Sequence, residues 1–183
     1  MDDLTKLYQE VILDHHRAPR NAGRLPQPTH QAEAHNPLCG DRVVVTLLLG
    51  PLPAGGGTGV LEARCDAQGC ALCRASGSLA TELLAARPVS EARAHIERFL
   101  ALVKGGEGAA GAAGAAGAEL PAGAELPLAV GDSALPSGDS LLTRVGPLLE
   151  VRKFPGRRRC VTLSWEVFRA ALADRAGDGA SQQ

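Results

Sequence analysis

Three cysteines and one aspartate of this 183-residue chain are of the types that bind metal ions or attack sulfur. They are Cys39 and Asp41 in HNPLCGDRVVV, Cys70 in DAQGCALC and Cys160 in FPGRRRCVTLSW. Each cysteine stands at a predicted turn or helix entry, beside glycine, proline or basic residues. Such places expose a thiol and lower its pKa, and the thiolate is the form that binds metal or attacks sulfur. Three thiolates and one carboxylate would complete one tetrahedral site of soft and hard donors.

From residue types and spacing alone, two interpretations of these cysteines stay open. The three thiols are much further apart along the chain than the paired ligands of a zinc finger, so they either share one metal or sulfur site or are independent small buried residues. Cys73 completes a CxxC pair with Cys70. This pair is either a redox pair of the thioredoxin type, or Cys73 is an auxiliary thiol near a metal.

The elements that would position these side chains follow from the hydrophobic periodicity. Alternation in the second strand places Leu61, Ala63 and Cys65 on the face toward the core, which predicts that Cys65 is buried. Trp165 is predicted to anchor the last helix in the core. His15 continues the apolar stripe of the first helix and is predicted to be a packed, hydrogen-bonded residue, with a metal ligand as the alternative. Strands are predicted for residues 29–36, 41–49 and 60–66, and helices for residues 3–16, the segment after Cys70, residues 88–103 and residues 159–174.

Composition and length limit the class of protein. The chain is 45% hydrophobic with only 3% aromatic residues, which predicts a core of leucine, valine and alanine within a single domain over residues 1–183. Its 19 basic and 20 acidic residues nearly cancel, which argues against a general electrostatic role on nucleic acid or an anionic membrane. Residues 105–140, which contain the tandem AGAELPAGAELP, are predicted to be a flexible low-complexity insertion, and residues 175–183 a disordered tail.

Location and redox environment follow from the apolar segments and the cysteines. The first residues are acidic and polar, and the longest apolar run is too short to span a bilayer, so we expect a cytoplasmic protein with no membrane partner. In a reducing compartment the five cysteines are expected to be metal ligands, reactive thiols or core residues rather than disulfides.

Four segments together resemble a known family. LYQEVILDHHRAPRN, HNPLCGDRV, GCALCRAS and RRRCVTLSW resemble, in this order, the marker segments of the iron–sulfur assembly proteins of the IscU/NifU N-terminal group. Two details favour the SufU branch of that family. The scaffold branch typically has histidine before the third cysteine, where this chain has Arg159, and an insertion between the second and third cysteines is a SufU feature.

The resemblance implies an α+β fold with a small antiparallel three-stranded sheet covered on one side by helices, and with the three cysteines at one exposed end. It also implies Zn²⁺ bound by Cys39, Asp41, Cys70 and Cys160. By resemblance Cys39 accepts persulfide sulfur from a SufS-type cysteine desulfurase and serves the downstream iron–sulfur assembly machinery. The alternatives are a scaffold that assembles a [2Fe–2S] cluster on the same ligands, and a purely structural zinc site.

Basic residues cluster beside the third cysteine and include Arg157 and Arg159. A nucleic-acid patch would need interleaved aromatic residues and a wider basic surface. The cluster is therefore interpreted as a docking surface for an acidic partner or as a means of tuning the Cys160 thiolate, with a solvated loop as the alternative.

Overall fold

The computed structural model describes residues 3–53, 57–105 and 140–173. The predicted insertion at residues 105–140 lies outside the described residues except at its two ends, and the predicted tail at 175–183 lies outside them entirely. The strands are β1 (His30–Asn36), β2 (Asp41–Pro51) and β3 (Thr58–Gln68). The helices are α1 (Asp3–Arg17), α2 (Ala71–Leu84), α3 (Val89–Lys104), α4 (Ser140–Leu149) and α5 (Pro155–Ala173), with a 3₁₀ helix at Glu150–Lys153 before α5.

The three strands form one antiparallel sheet in the order β1-β2-β3, as the family resemblance implied. The pairing places Asn36 opposite Asp41 and Arg42 opposite Gln68. The turn between β1 and β2 and the connection from β3 to α2 therefore leave the same end of the sheet. This register brings two of the predicted site segments together, although they are distant along the chain.

Helices α2 and α5 pack against the sheet and against each other, and α3 packs on α5. Trp165 of α5 is fully buried and stacks on Phe99 of α3 with ring centroids 4.0 Å apart. Its indole Nε1 donates a hydrogen bond of 3.1 Å to Ser76 Oγ of α2. A buried indole needs such a partner, and this one joins α5 to α2. The prediction that Trp165 anchors the last helix is confirmed.

Small residues allow α2 to approach the sheet closely. A Cβ atom added at Gly77 would lie 2.7 Å from Cys65 Sγ and 3.3 Å from Ser164 Oγ, so glycine is required there for α2 to contact both β3 and α5. Cys65 itself is only 6% exposed, which confirms its predicted place in the core.

Two details of the predicted elements are wrong. Leu61 is 40% exposed because a bulge opposite Leu48 and Leu49 shifts the alternation of β3, and Val60 takes the buried place instead. Helix α5 begins at Pro155 rather than at residue 159, so Cys160 lies in its second turn and not at its entry. Helix α4 has no counterpart among the predicted elements.

Within the described ranges, no helix combines the length and the apolar character needed to cross a lipid bilayer. The predicted cytoplasmic location and the single-domain organisation stay predictions.

Candidate metal centre

The first cysteine of the site lies on the exposed turn between β1 and β2. The Asn36 side chain shapes this turn, because its Oδ1 accepts a hydrogen bond from Leu38 N at 3.2 Å. The turn closes where Gly40, with φ of +77°, donates its N–H to the Asn36 carbonyl at 2.8 Å. Asn36 Nδ2 also donates a hydrogen bond of 3.0 Å to Cys39 Sγ. Cys39 is therefore exposed to solvent but oriented by a buried amide.

Asp41, the first residue of β2, lies at the centre of the site and is 1% exposed. Its Oδ1 accepts a hydrogen bond of 2.9 Å from Cys70 N, and its Oδ2 lies 3.7 Å from Cys70 Sγ. Burial by itself would raise the pKa of this carboxyl. The hydrogen bonds from Cys70 N and from the thiols of Cys39, Cys160 and Cys70 outweigh burial and hold the pKa of Asp41 below its ordinary value.

Gly69 allows the Cys70 backbone to approach that carboxylate. Its φ is +153°, and an added Cβ would lie 2.1 Å from Asp41 Oδ1 and 3.0 Å from Asp41 Cα. No residue with a side chain fits between β2 and the start of α2. The glycine before Cys70 is therefore part of the site's construction.

Cys160 completes the site from α5. Its side chain is 2% exposed, and its Sγ lies 3.8 Å from Cys39 Sγ. Burial, the hydrogen bond to Asp41 and the neighbouring Cys70 and Cys39 thiols all raise the pKa of Cys160. The prediction that this thiol is exposed with a lowered pKa is wrong, because the earlier start of α5 places Cys160 inside the protein.

Three of the four predicted donor atoms have the spacing that one tetrahedral ion requires, whereas Cys70 Sγ is not part of this close group and contacts Asp41. The ligand atoms of Cys39, Asp41 and Cys160 all lie within 4.8 Å of one another. Around a zinc ion with bonds of about 2.3 Å to sulfur and about 2.1 Å to oxygen, neighbouring sulfurs lie about 3.8 Å apart, and sulfur and oxygen about 3.6 Å apart. The distance of 3.8 Å between Cys39 and Cys160 and that of 3.7 Å between Cys70 and Asp41 match these values. The donor set fits zinc.

The other two thiols are buried. Burial raises the pKa of Cys65 to about 12. Cys73 is 0% exposed, burial raises its pKa, and its thiol is not among the three ligand groups within 4.8 Å of one another in the described part of the chain.

The basic residues beside Cys160 divide into two groups. Arg159 forms an ion pair of 2.7 Å with Glu166, about two turns further along α5. Arg157 is exposed and makes no ion pair with any residue that the structure describes. Of the two arginines, Arg157 is thus the one with a free cationic group for a partner. The docking or tuning role of both stays a prediction.

The sequence interpretation missed Asn36 and Gly69, which hold Cys39 and Asp41 in place. Both were visible in HNPLCGD and QGC. Asn before Pro is a turn signal, since its side chain bonds backbone N–H groups two residues ahead. Glycine before a helix entry indicates a backbone position that a side chain would obstruct.

Comparison with known proteins places the chain in a family. The family model described as "NifU-like N terminal domain" matches residues 7–118, and the chain belongs to that family. This match includes Cys39, Asp41 and Cys70. Cys160 lies beyond it and joins the site through the fold. The predicted resemblance to the IscU/NifU N-terminal group is confirmed.

Named relatives cover nearly the whole chain. This chain is 28% identical over 175 residues to the zinc-dependent sulfurtransferase SufU of Bacillus subtilis, and the alignment covers 96% of this chain and 95% of the relative. It is 26% identical over 172 residues to the iron–sulfur cluster assembly scaffold protein IscU of Streptococcus pyogenes, covering 94% and 86% of the two chains. The crystal structure of a NifU-like N-terminal protein from Brucella abortus superposes with a TM-score of 0.64 at 18% identity, covering 93% and 94% of the chains. That similarity confirms the predicted α+β fold.

Proposed function

We propose that this chain is a zinc-dependent sulfur-transfer protein that accepts persulfide sulfur from a SufS-type cysteine desulfurase for iron–sulfur cluster assembly. Cys39 is the acceptor, and Cys39, Asp41, Cys70 and Cys160 are the zinc ligands. The observation that carries the proposal is that the donors lie close together but differ in their exposure to solvent. Cys39, Asp41 and Cys160 lie within 4.8 Å of one another, Cys70 Sγ lies 3.7 Å from Asp41 Oδ2, and Cys39 is the most exposed of the four.

The spacing favours one ion over a cluster. A [2Fe–2S] cluster divides four protein ligands between two irons, so some ligand pairs must lie further apart than around a single ion. The mutual approach of Cys39, Asp41 and Cys160 within 4.8 Å supports the single ion. The name of the Bacillus subtilis relative supports zinc as well, whereas the IscU name of the Streptococcus pyogenes relative carries the scaffold alternative.

Bound zinc would hold its thiol ligands as thiolates at neutral pH, which matters most for Cys160, where burial opposes deprotonation. Cys39 is the residue that accepts the sulfur. Its thiolate attacks the outer sulfur of the donor's persulfide, a new sulfur–sulfur bond forms, and the donor cysteine leaves as a thiolate. Cys39 then carries the persulfide. Sulfur moves with no net oxidation or reduction.

The surroundings of Cys39 suit this reaction. Asn36 Nδ2, at 3.0 Å, donates to the sulfur and stabilises its negative charge in the attacking orientation. Leu38 beside it is 93% exposed and offers an apolar contact with which a desulfurase can exclude water from the transfer. Arg157 supplies a nearby cationic group for an acidic partner surface.

The test is a desulfurase assay with zinc-loaded and zinc-stripped protein, preceded by metal analysis of protein purified without oxygen. We expect one zinc per chain, a colourless protein, and stimulation of the desulfurase only by the zinc form. Cys39→Ala should abolish the stimulation, while the matched control Cys65→Ala, which removes a buried thiol, should retain it. A brown protein with iron and sulfide would favour the scaffold, and full stimulation by Cys39→Ala would remove Cys39 from the acceptor role.

A further inference from the structure

The CxxC segment at the start of α2 has a geometry that the sulfur-transfer reaction does not use. Cys70 is the N-cap of α2, with φ of −67° and ψ of 165°, and Cys73 is the third residue of that helix. The side chain of Cys70 makes no capping hydrogen bond. N-cap and third helical residues face each other across the first turn, which is why a capping box can connect them.

We propose that Cys70 and Cys73 are an oxidation site, at which a disulfide forms that excludes Cys70 from the metal centre. The inference rests on the proposed function for its consequence, because Cys70 must be a zinc ligand for the disulfide to affect metal binding. Helix geometry places Cα atoms three residues apart about 5 Å from each other, within the range of about 4.4–6.8 Å between Cα atoms that disulfides span.

The two thiols differ in their exposure to solvent, so an oxidant can react with one of them and the other can then form the disulfide. Cys70 is partly exposed, whereas Cys73 is 0% exposed. An oxidant in solution therefore reaches Cys70 first, and Cys73 completes the reaction from inside. The third thiol of this region is a poorer partner, since Cys65 Sγ lies against Gly77, more than one turn further along α2.

The reaction with a low-molecular-weight disulfide balances in two exchanges. Cys70 thiolate attacks one sulfur of the small disulfide and releases one small thiolate, which leaves a mixed disulfide on Cys70. Cys73 then attacks the Cys70 sulfur as its proton passes to the departing sulfur, which forms the internal disulfide and releases the second small thiol. Two protein thiols are oxidised and one small disulfide is reduced.

The consequence follows from the contact between Cys70 and Asp41. In the reduced protein Cys70 Sγ lies 3.7 Å from Asp41 Oδ2, where it is one of the four donors. A disulfide to Cys73 turns that sulfur toward the interior and removes its negative charge. Asp41 keeps the backbone hydrogen bond from Cys70 N, so the fold of the site survives while one ligand is lost.

The experiment oxidises metal-stripped, full-length protein with glutathione disulfide, blocks free thiols with N-ethylmaleimide in denaturant so that the buried Cys73 is also accessible, and digests with trypsin and an endoproteinase that cleaves before aspartate. The peptide Asp66–Arg74 then contains Cys70 and Cys73 but not Cys65. We expect this peptide to lose the mass of two hydrogens and to carry no label. Zinc affinity of the oxidised protein should fall by at least about 10-fold and return after reduction with dithiothreitol.

The matched variant is Cys73→Ser, in which the first exchange can occur but the second cannot. It should trap a glutathione adduct on Cys70, while Cys65→Ser should behave as the parent. Circular dichroism and zinc content of reduced Cys73→Ser check that it folds, and Cys73→Ala serves if it does not.

Two results would overturn the proposal. The first is an N-ethylmaleimide label on Cys73 after oxidation, which would show that Cys73 stayed a free thiol. The same conclusion holds if oxidation joins Cys39 to Cys160 and leaves Cys73 labelled. The second is a Cys70–Cys73 disulfide that leaves zinc affinity unchanged, which would also remove Cys70 from the ligand set. A reduced protein that binds no zinc at all is a different failure, because it contradicts the proposed function itself.

Discussion

Replacing Gly69 by alanine tests whether Asp41 is held in place by the close approach of the α2 entry. The added Cβ would lie 2.1 Å from Asp41 Oδ1 and 2.7 Å from Asp41 Cγ, whereas ordinary contacts are 3.4–4 Å. The two groups must separate by more than about 1 Å, while the distances of metal ligands tolerate only about 0.2 Å. The hydrogen bond of 2.9 Å from Cys70 N to Asp41 Oδ1 would be broken by the same shift.

We therefore expect Gly69→Ala to lower zinc affinity by about 10- to 100-fold, the range found when groups that orient metal ligands are lost. The assay is competition with a chromophoric zinc chelator at fixed pH and salt. Gly23→Ala is the control for backbone strain, because Gly23 has φ of +92° and nothing within 4 Å of an added Cβ. Gly23→Ala should lose stability but keep its zinc affinity.

A second measurement asks whether the effect acts through the carboxylate. In an Asp41→Ala background, Gly69→Ala should have a much smaller effect on zinc affinity, because the atoms that the new Cβ meets most closely are absent. An equal loss in both backgrounds would show that Gly69 acts elsewhere. Parental zinc affinity in the single variant would refute the reasoning that Asp41 is a ligand positioned by this contact.

Three further predictions concern the rest of the fold and site. Asn36→Ala should slow persulfide transfer to Cys39 by about 10-fold or more in single-turnover assays, since the hydrogen bond to the sulfur is lost. Phe99→Ala should lower the free energy of unfolding in urea by about 3–5 kcal/mol, because it removes a fully buried ring stacked on Trp165. Burial, and after it the nearby charge of Arg20, lowers the pKa of His15 below its ordinary value of 6.5, so the unfolded state binds more protons than the folded state as pH falls. The contribution of His15 to the free energy of unfolding is therefore present above pH 6.5 and is lost as pH falls below it. His15→Gln should weaken this pH dependence, measured by urea titrations at several pH values.

The strands and most helices could be predicted because their signals are local. Apolar spacing alone located α1, and the predicted packing of His15 is confirmed by its hydrogen bond of 2.8 Å to Ser78 Oγ. The exposed Leu61 shows the limit of such signals, because a bulge changes which residues face inward and depends on the pairing with β2. Helix α4 contains Pro147, which disfavours a helix locally, so only packing can account for it.

The members of the site could be named from motifs, but their environment could not. Cys160 follows three arginines, which suggested an exposed thiolate, yet it lies on the buried face of α5. That outcome depends on where the helix begins and on which face packs against β1 and β2. The roles of Asn36 and Gly69 likewise depend on distances between segments, which no local pattern contains.

The four proposed donors differ most in which structural element holds each of them in place. Asp41 is fixed by β2, Cys70 by the start of α2 and Cys160 by the buried face of α5, so none can move far without disturbing an element. Cys39 lies on an exposed turn rather than in a helix or strand, and side-chain contacts with Asn36, Asp41 and Cys160 orient it. A site built for structure alone has no need of this difference, since four rigid donors bind metal more strongly. A rigid set of three with one movable, exposed thiol is what sulfur transfer requires, because the thiol can reach a donor's persulfide while the rest of the site keeps its shape.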